Sequence, residues 1–267
     1  IAVGHGALFT QNFTTATDVF NVAVGHDAGV SITTGFRNTL IGGLAGDVLT
    51  DADNNVAIGY AALTTDTLGS GAVAVGAGAL NSQNFTTATT NYNVGVGLDA
   101  GKSITFGTVN TLIGGLAGDA LTEGNNNVAV GYAALGSDTK GDRNISIGSG
   151  SLATQNFTTS TDSYNVAVGH NAGNAITTGV QNVFVGGLSG DSTTDADGNV
   201  GVGHRTLDAN TLGSFSTALG GLALASQNYT TATSAYNVAV GYGAGSLIST
   251  GIQNTLIGSA AGDALTD

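Results

Sequence analysis

The chain has no cysteine, proline, methionine or tryptophan, and among its 267 residues five are basic against 18 acidic. Without cysteine there is no disulfide, thiolate metal ligand or thiol nucleophile. Without proline, and without a strict glycine triplet, the chain cannot be collagen, although 44 residues are glycine. Apolar residues never run to the ~20 positions a membrane helix needs, so no membrane insertion is expected within this segment. A formal charge of −13 offers no basic surface to neutralise phosphates, which excludes nucleic acid as an expected partner. Disorder is excluded as well. Disordered chains lack apolar side chains to bury, whereas here 41% of residues are hydrophobic and evenly spread.

What fills the chain is a repeat. The pentapeptide NVAVG at 21–25 returns as NTLIG at 38–42, NVAIG at 55–59 and NVGVG at 93–97, and so on to NTLIG at 254–258. Its closing glycine falls at 4, 25, 42, 59, 76, 97, 114, 131, 148, 169, 186, 203, 220, 241 and 258, so the steps run 21, 17, 17, 17 and the superperiod is 72 residues. Each unit is too short for a helix pair, and its β-branched core followed by glycine fits a short strand and a turn. The expected fold is all-β: a parallel β-solenoid, or β-roll, of about fifteen 17- or 21-residue coils, in one continuous array over 1–267.

Side chains alternate faces along a strand, which separates two columns. The residue before each closing glycine (Val3, Val24, Ile41, Ile58 and onward) is aliphatic in every coil and is assigned to the inside, with Ile32, Ile104, Ile176 and Ile248. The central residue of the pentapeptide carries no charge in any coil: Ala23, Leu40, Ala57, Ala74, Leu112, Phe184 and Leu256 are examples. A solvated face would carry polar residues, so this column is assigned to an interface between chains, buried by closed cyclic symmetry. The leading Asn, present in nearly every coil, is read as structural, its amides bonding along the stack.

The N-x-[VAL]-[VI]-G pentapeptide, followed by x-x-A-G or x-x-A-L and preceded by T-G, resembles the head repeats of trimeric autotransporter adhesins. It is also similar to the shaft repeats of bacteriophage tail fibres. The resemblance spans the whole chain, and the 17-residue form T-G-x-x-N-T-L-I-G looks more like the phage fibres. It implies a left-handed parallel β-roll in a parallel homotrimer, an extracellular, non-enzymatic fibre that contacts a host-cell glycan or protein. The coils are longer than those of adhesins, and no anchor, coiled-coil stalk or chaperone domain is present. The chain opens and stops in mid-repeat and is read as a segment of a longer fibre.

The 21-residue coils differ by a four-residue insertion, QNFTTATDVFN at 11–21 and its equivalents at 83–93, 155–165 and 227–237. Eight of the sixteen aromatics lie there: Phe13, Phe20, Phe85, Tyr92, Phe157, Tyr164, Tyr229 and Tyr236. Aromatics framed by Thr and Asn suit stacking on sugars or contact with a receptor, or else clamp neighbouring chains. The N-x-T sequons at Asn12, Asn84, Asn156 and Asn228 matter only in a eukaryotic secretory setting.

No catalytic residue and no cofactor is expected. His5, His26, His170 and His204 each follow a closing glycine, a place that Tyr60, Tyr132 and Tyr242 take in other coils. Interchange of His with Tyr indicates packing. The turns DADNN at 51–55, EGNNN at 123–127 and DADGN at 195–199 space oxygen ligands two apart but lack the bidentate Glu of a calcium loop, so no metal is expected. The run GLDAGKS at 97–103 lacks the first glycine of a phosphate loop. An ice-binding face would show Thr-x-Thr in every coil, and a sugar-cleaving spike would need paired carboxylates in a groove. Neither pattern is present.

Overall fold

Each β-branched triplet between the leading Asn and the closing Gly forms a three-residue strand, Val22–Val24, Thr39–Ile41 and Val56–Ile58 being the first full ones. The closing glycine ends the strand because the backbone turns there through φ +142° at Gly25, a region L-residues rarely enter. A Cβ on Gly25 would lie 2.4 Å from the carbonyl oxygen of Gly42 in the next coil, so the column also needs glycine to let the coils approach. Strands pair in parallel and in register: Val22, Ala23 and Val24 oppose Thr39, Leu40 and Ile41, which oppose Val56, Ala57 and Ile58. In this computed structural model, which describes residues 1–267, fifteen such strands form one parallel sheet in sequence order, and there is no helix. The fold is a parallel β-solenoid of about fifteen coils.

The chain divides into two compact units, Ile1–Ala129 and Val130–Asp267. The division falls inside the pentapeptide at 127–131, where no change in the repeat marks it. Each unit is built from the same coils.

The two columns lie opposite to their expected places. Ala23, Leu40, Ala57, Ala74, Leu112 and Phe184 are fully buried within one chain, and Leu256, in the last coil, is partly covered. They form the solenoid core and cannot be an interface between chains. The residues before the closing glycine face outward: Ile41 is 38%, Ile113 39% and Leu219 45% exposed. The reason is tight packing inside, where even a Cβ added at Gly46 would lie 2.7 Å from Leu49 and 2.9 Å from Leu40. Where the central residue is Leu40, the following x-x-A-G turn ends in Gly46, whose missing side chain is replaced by Leu40 and Leu49. Where it is Ala57, the turn ends in Leu63, which is itself buried. Ile32, Ile104, Ile176 and Ile248 are inside, as expected.

The leading asparagines are buried and joined coil to coil. The backbone N–H of Asn38 donates to Asn21 Oδ1 (2.8 Å), that of Asn55 to Asn38 Oδ1 (3.0 Å) and that of Ala72 to Asn55 Oδ1 (2.8 Å). Each Nδ2 donates fourteen residues onward, Asn38 to the Ala52 carbonyl (2.7 Å) and Asn55 to that of Gly69 (2.9 Å). One side chain thus satisfies two buried backbone groups that the strand pairing leaves open. Where Ala72 interrupts the series, Asn91 supplies the missing acceptor to the Asn93 N–H (2.9 Å).

Candidate binding surface

The inserted residues of the longer coils run beside the preceding coil as short parallel pairs, Gly69–Ser70 with Thr89–Thr90, Gly141–Asp142 with Thr161–Asp162, and Gly213–Ser214 with Thr233–Ser234. Their tips, Thr86 to Ala88 and Thr158 to Ser160, are exposed. The eight aromatics of these coils do not form one set. Phe85, Phe157 and Tyr229 are 5–6% exposed, and Phe13, in the first coil, is half-buried. Phe85, Phe157 and Tyr229 fill the space behind the inserted loop and are closed to a receptor, while Phe13 is only partly covered. Phe85 meets Phe106 edge to face at 6.4 Å, and the Tyr229 hydroxyl donates to the Gly251 carbonyl at 2.7 Å. Burial pushes that phenol above its ordinary pKa.

Behind each buried ring lies a polar knot not anticipated from the sequence. Asp66 is buried and accepts the backbone N–H groups of Gly69 and Phe85, both at 3.0 Å, while its second oxygen accepts Gln83 Nε2 at 2.6 Å. Gln83 Oε1 in turn accepts Asn93 Nδ2 at 2.8 Å. Asp138 repeats the arrangement with Gly141, Phe157 and Gln155. Burial raises the Asp138 carboxyl above its ordinary pKa against the opposing pull of these donors. Asn210 takes the same place in the third copy, receiving Gly213 N–H at 3.1 Å and Gln227 Nε2 at 3.3 Å. A carboxylate here clasps the inserted loop to the coil before it.

The other four aromatics, Phe20, Tyr92, Tyr164 and Tyr236, are 69%, 63%, 47% and 54% exposed. Each sits immediately before a leading Asn, with φ of +50 to +54°. The residue at that place is left-handed in every coil where it is present, so the corner is a recurring turn whose side chain stands outward. In the first unit the ridge reads Phe20, Arg37, Asn54, Gly71, Tyr92, Val109 and Asn126; in the second it reads Arg143, Tyr164, Gln181, Gly198, Phe215, Tyr236 and Gln253. Backbone bonds lock it, Arg37 N–H to the Val19 carbonyl and Gln253 N–H to that of Ala235, both at 2.7 Å.

Neighbours on the ridge stack. Phe215 and Tyr236 lie face to face, 5.5 Å apart and 12° from parallel. Arg143 lies 5.6 Å from the Tyr164 ring centre and pairs with Asp162; Arg37 lies 5.0 Å from the ring of Phe36. Two of the chain's five basic residues are therefore on this ridge. Exposed rings alternating with guanidinium and amide groups form a surface suited to planar sugar faces and their hydroxyls. Arg37, Arg143, Gln181, Phe215 and Gln253 lie in the shorter coils; their signal in the sequence is position alone, one residue before the Asn.

The acidic turns bond along the stack. Asp51 accepts Thr34 Oγ1 at 2.6 Å, Asp53 the Phe36 N–H at 2.9 Å and Asp197 the Val180 N–H at 2.8 Å. Asp195 accepts both Thr177 and Thr178 hydroxyls at 2.6 Å, which holds its carboxyl below its ordinary pKa. Burial instead raises Asp53. No helix is long and apolar enough to cross a membrane. No family model matches the chain, and neither a curated protein nor a solved structure matches it.

Proposed function

We propose that the chain is a non-enzymatic structural and adhesive fibre segment, most plainly a piece of a phage tail fibre that attaches to host cells outside the cell. It assembles with two further copies of itself and presents the corner ridge to a cell-surface glycan or protein. The observation that carries this reading is the outer face of the long sheet. Its two outward columns, such as Val56 with Ile58 and Thr111 with Ile113, hold only Val, Ile, Leu and Thr, and Ile58, Ile113 and Ile147 are 36–39% exposed. A solvated sheet face would alternate with charge, and an apolar stripe of this kind is covered in solution by a partner. Copies of the same chain supply a face equally free of charge.

Light scattering at micromolar concentration tests the assembly: three chains of 26.0 kDa are expected, and Ile58→Asp with Ile113→Asp should release single chains. A folded, monodisperse single chain before substitution would sink the reading. The adhesive half is tested on a glycan array, where Tyr164→Ala with Tyr236→Ala should remove binding and leave the assembly intact.

A further inference from the structure

His5 and His26 stand in successive coils with their rings stacked, 5.2 Å between centres and 16° from parallel. Both Nδ1 atoms face the carboxylate of Asp27, at 3.7 Å from Oδ1 for His5 and 3.1 Å from Oδ2 for His26. We propose that these three side chains form a binding site for a borderline divalent transition cation of the zinc class, independent of the adhesive reading.

The distances fit. A tetrahedral centre with bonds of ~2.0–2.1 Å places its ligand atoms about 3.3 Å apart, midway between the two separations found here. One ligand atom from each of the three residues already lies within 4.8 Å of the others. The remaining closure is a rotation of the two stacked rings, whose side chains are 84% and 65% exposed, so solvent lies on most of their surface. The backbone fixes the coil spacing, because Asp27 N–H donates to the His5 carbonyl at 2.8 Å. Gly6 lets the carboxylate come inward: a Cβ there would lie 2.0 Å from Asp27 Oδ1. Beside the cluster a cavity of about 370 Å³, lined also by Phe9 and Val30, leaves space for water as the fourth ligand. Two imidazoles with one carboxylate suit zinc, cobalt or nickel better than calcium, which takes oxygen.

The repeat supplies internal controls. One superperiod on, the equivalents are Ala77, Leu98 and Asp99, and Asp99 pairs with Lys102 at 3.3 Å. Two superperiods on they are Ser149, His170 and Asn171. The turn that places the carboxylate is thus common, whereas the histidine pair occurs with it once. His5 and His26 are 21 residues apart in the sequence and meet only through the stacking of successive coils.

Zinc or cobalt chloride titrated into the assembled chain, by calorimetry and by cobalt absorbance, tests the site. One ion per chain is expected, with the strong visible bands of four-coordinate cobalt. His26→Gln and Asp27→Asn should each weaken binding by at least about tenfold, and His170→Gln should not. Imidazole resonances of His5 and His26 should shift with zinc in the unsubstituted chain, a readout independent of how the variants fold. Binding no tighter than millimolar, equal binding in His26→Gln and Asp27→Asn, or an equal loss in His170→Gln would overturn the proposal.

Discussion

Phe184 lies in register with Gly201 of the next coil, and a Cβ on Gly201 would stand 3.0 Å from the Phe184 ring. At the same two places in the first unit stand Leu40 and Ala57. A larger residue has been matched by a smaller one across one hydrogen-bonded rung. The exchange extends to Ser189 and Thr206, whose hydroxyls bond to each other at 2.7 Å where the first unit has Ala45 and Ala62.

Gly201→Ala should therefore cost about 1–3 kcal/mol through overpacking. Phe184→Leu alone should cost about 1–2 kcal/mol through the cavity it leaves. The pair together with Ser189→Ala and Thr206→Ala rebuilds the core of the first unit and should recover most of the loss, a coupling of about 1 kcal/mol or more. Urea denaturation of the set measures it; strict additivity would refute the matching.

Asn55→Ala should be among the most damaging single substitutions outside the apolar core. It strands the Ala72 N–H and the Gly69 carbonyl, each a buried group worth about 1–3 kcal/mol when unpaired. Asn55→Asp keeps the acceptor and loses the donor, so it should fall between. Thermal melts of the three proteins give the order directly.

Stability should fall as pH rises. Burial, and then the neighbouring Asp208 carboxyl, push Asp191 up to about 7, against the opposing pull of Arg205. Its Oδ1 is buried without a hydrogen-bond partner. A carboxyl whose folded pKa exceeds its unfolded value lends stability that is complete below about 4 and lost as pH climbs through about 7. The melting temperature should thus decline between pH 5 and 8, and Asp191→Asn or Asp208→Thr should flatten the decline. The second change copies the first unit, where Thr64 donates to Asp47.

Chelation should leave the solenoid folded. Asp51, Asp53, Asp195 and Asp197 already have protein donors, and the His5 cluster is exposed. A melting temperature that dropped steeply in EDTA would contradict this and return those aspartates to candidacy as calcium ligands.

The strands, their parallel register and the buried asparagines were all legible in the sequence, because the repeat fixes the spacing and Asn is the residue able to serve an N–H and a carbonyl at once. The facing of the strand was not. Alternation separates two columns but identifies the inner one only when the outer is polar, and here both are aliphatic. The usable cue was size: the inner column is mostly Ala, and its larger members at Leu40 and Phe184 coincide with a glycine six residues on. The aromatics misled for a similar reason. Phe85 and Tyr92 share one insertion, yet seven residues and a left-handed turn put the first inside and the second outside. Asp66 reads as a solvent charge until its two backbone donors are seen.

The closing glycines have an evolutionary consequence. Because one coil rests on the next there through backbone alone, as Gly25 does on Gly42, that contact is indifferent to which coil is the neighbour. Unequal recombination between copies can therefore add or delete a 72-residue block without inventing a new junction. The number of blocks becomes free to drift, while side chains on the ridge can diverge copy by copy.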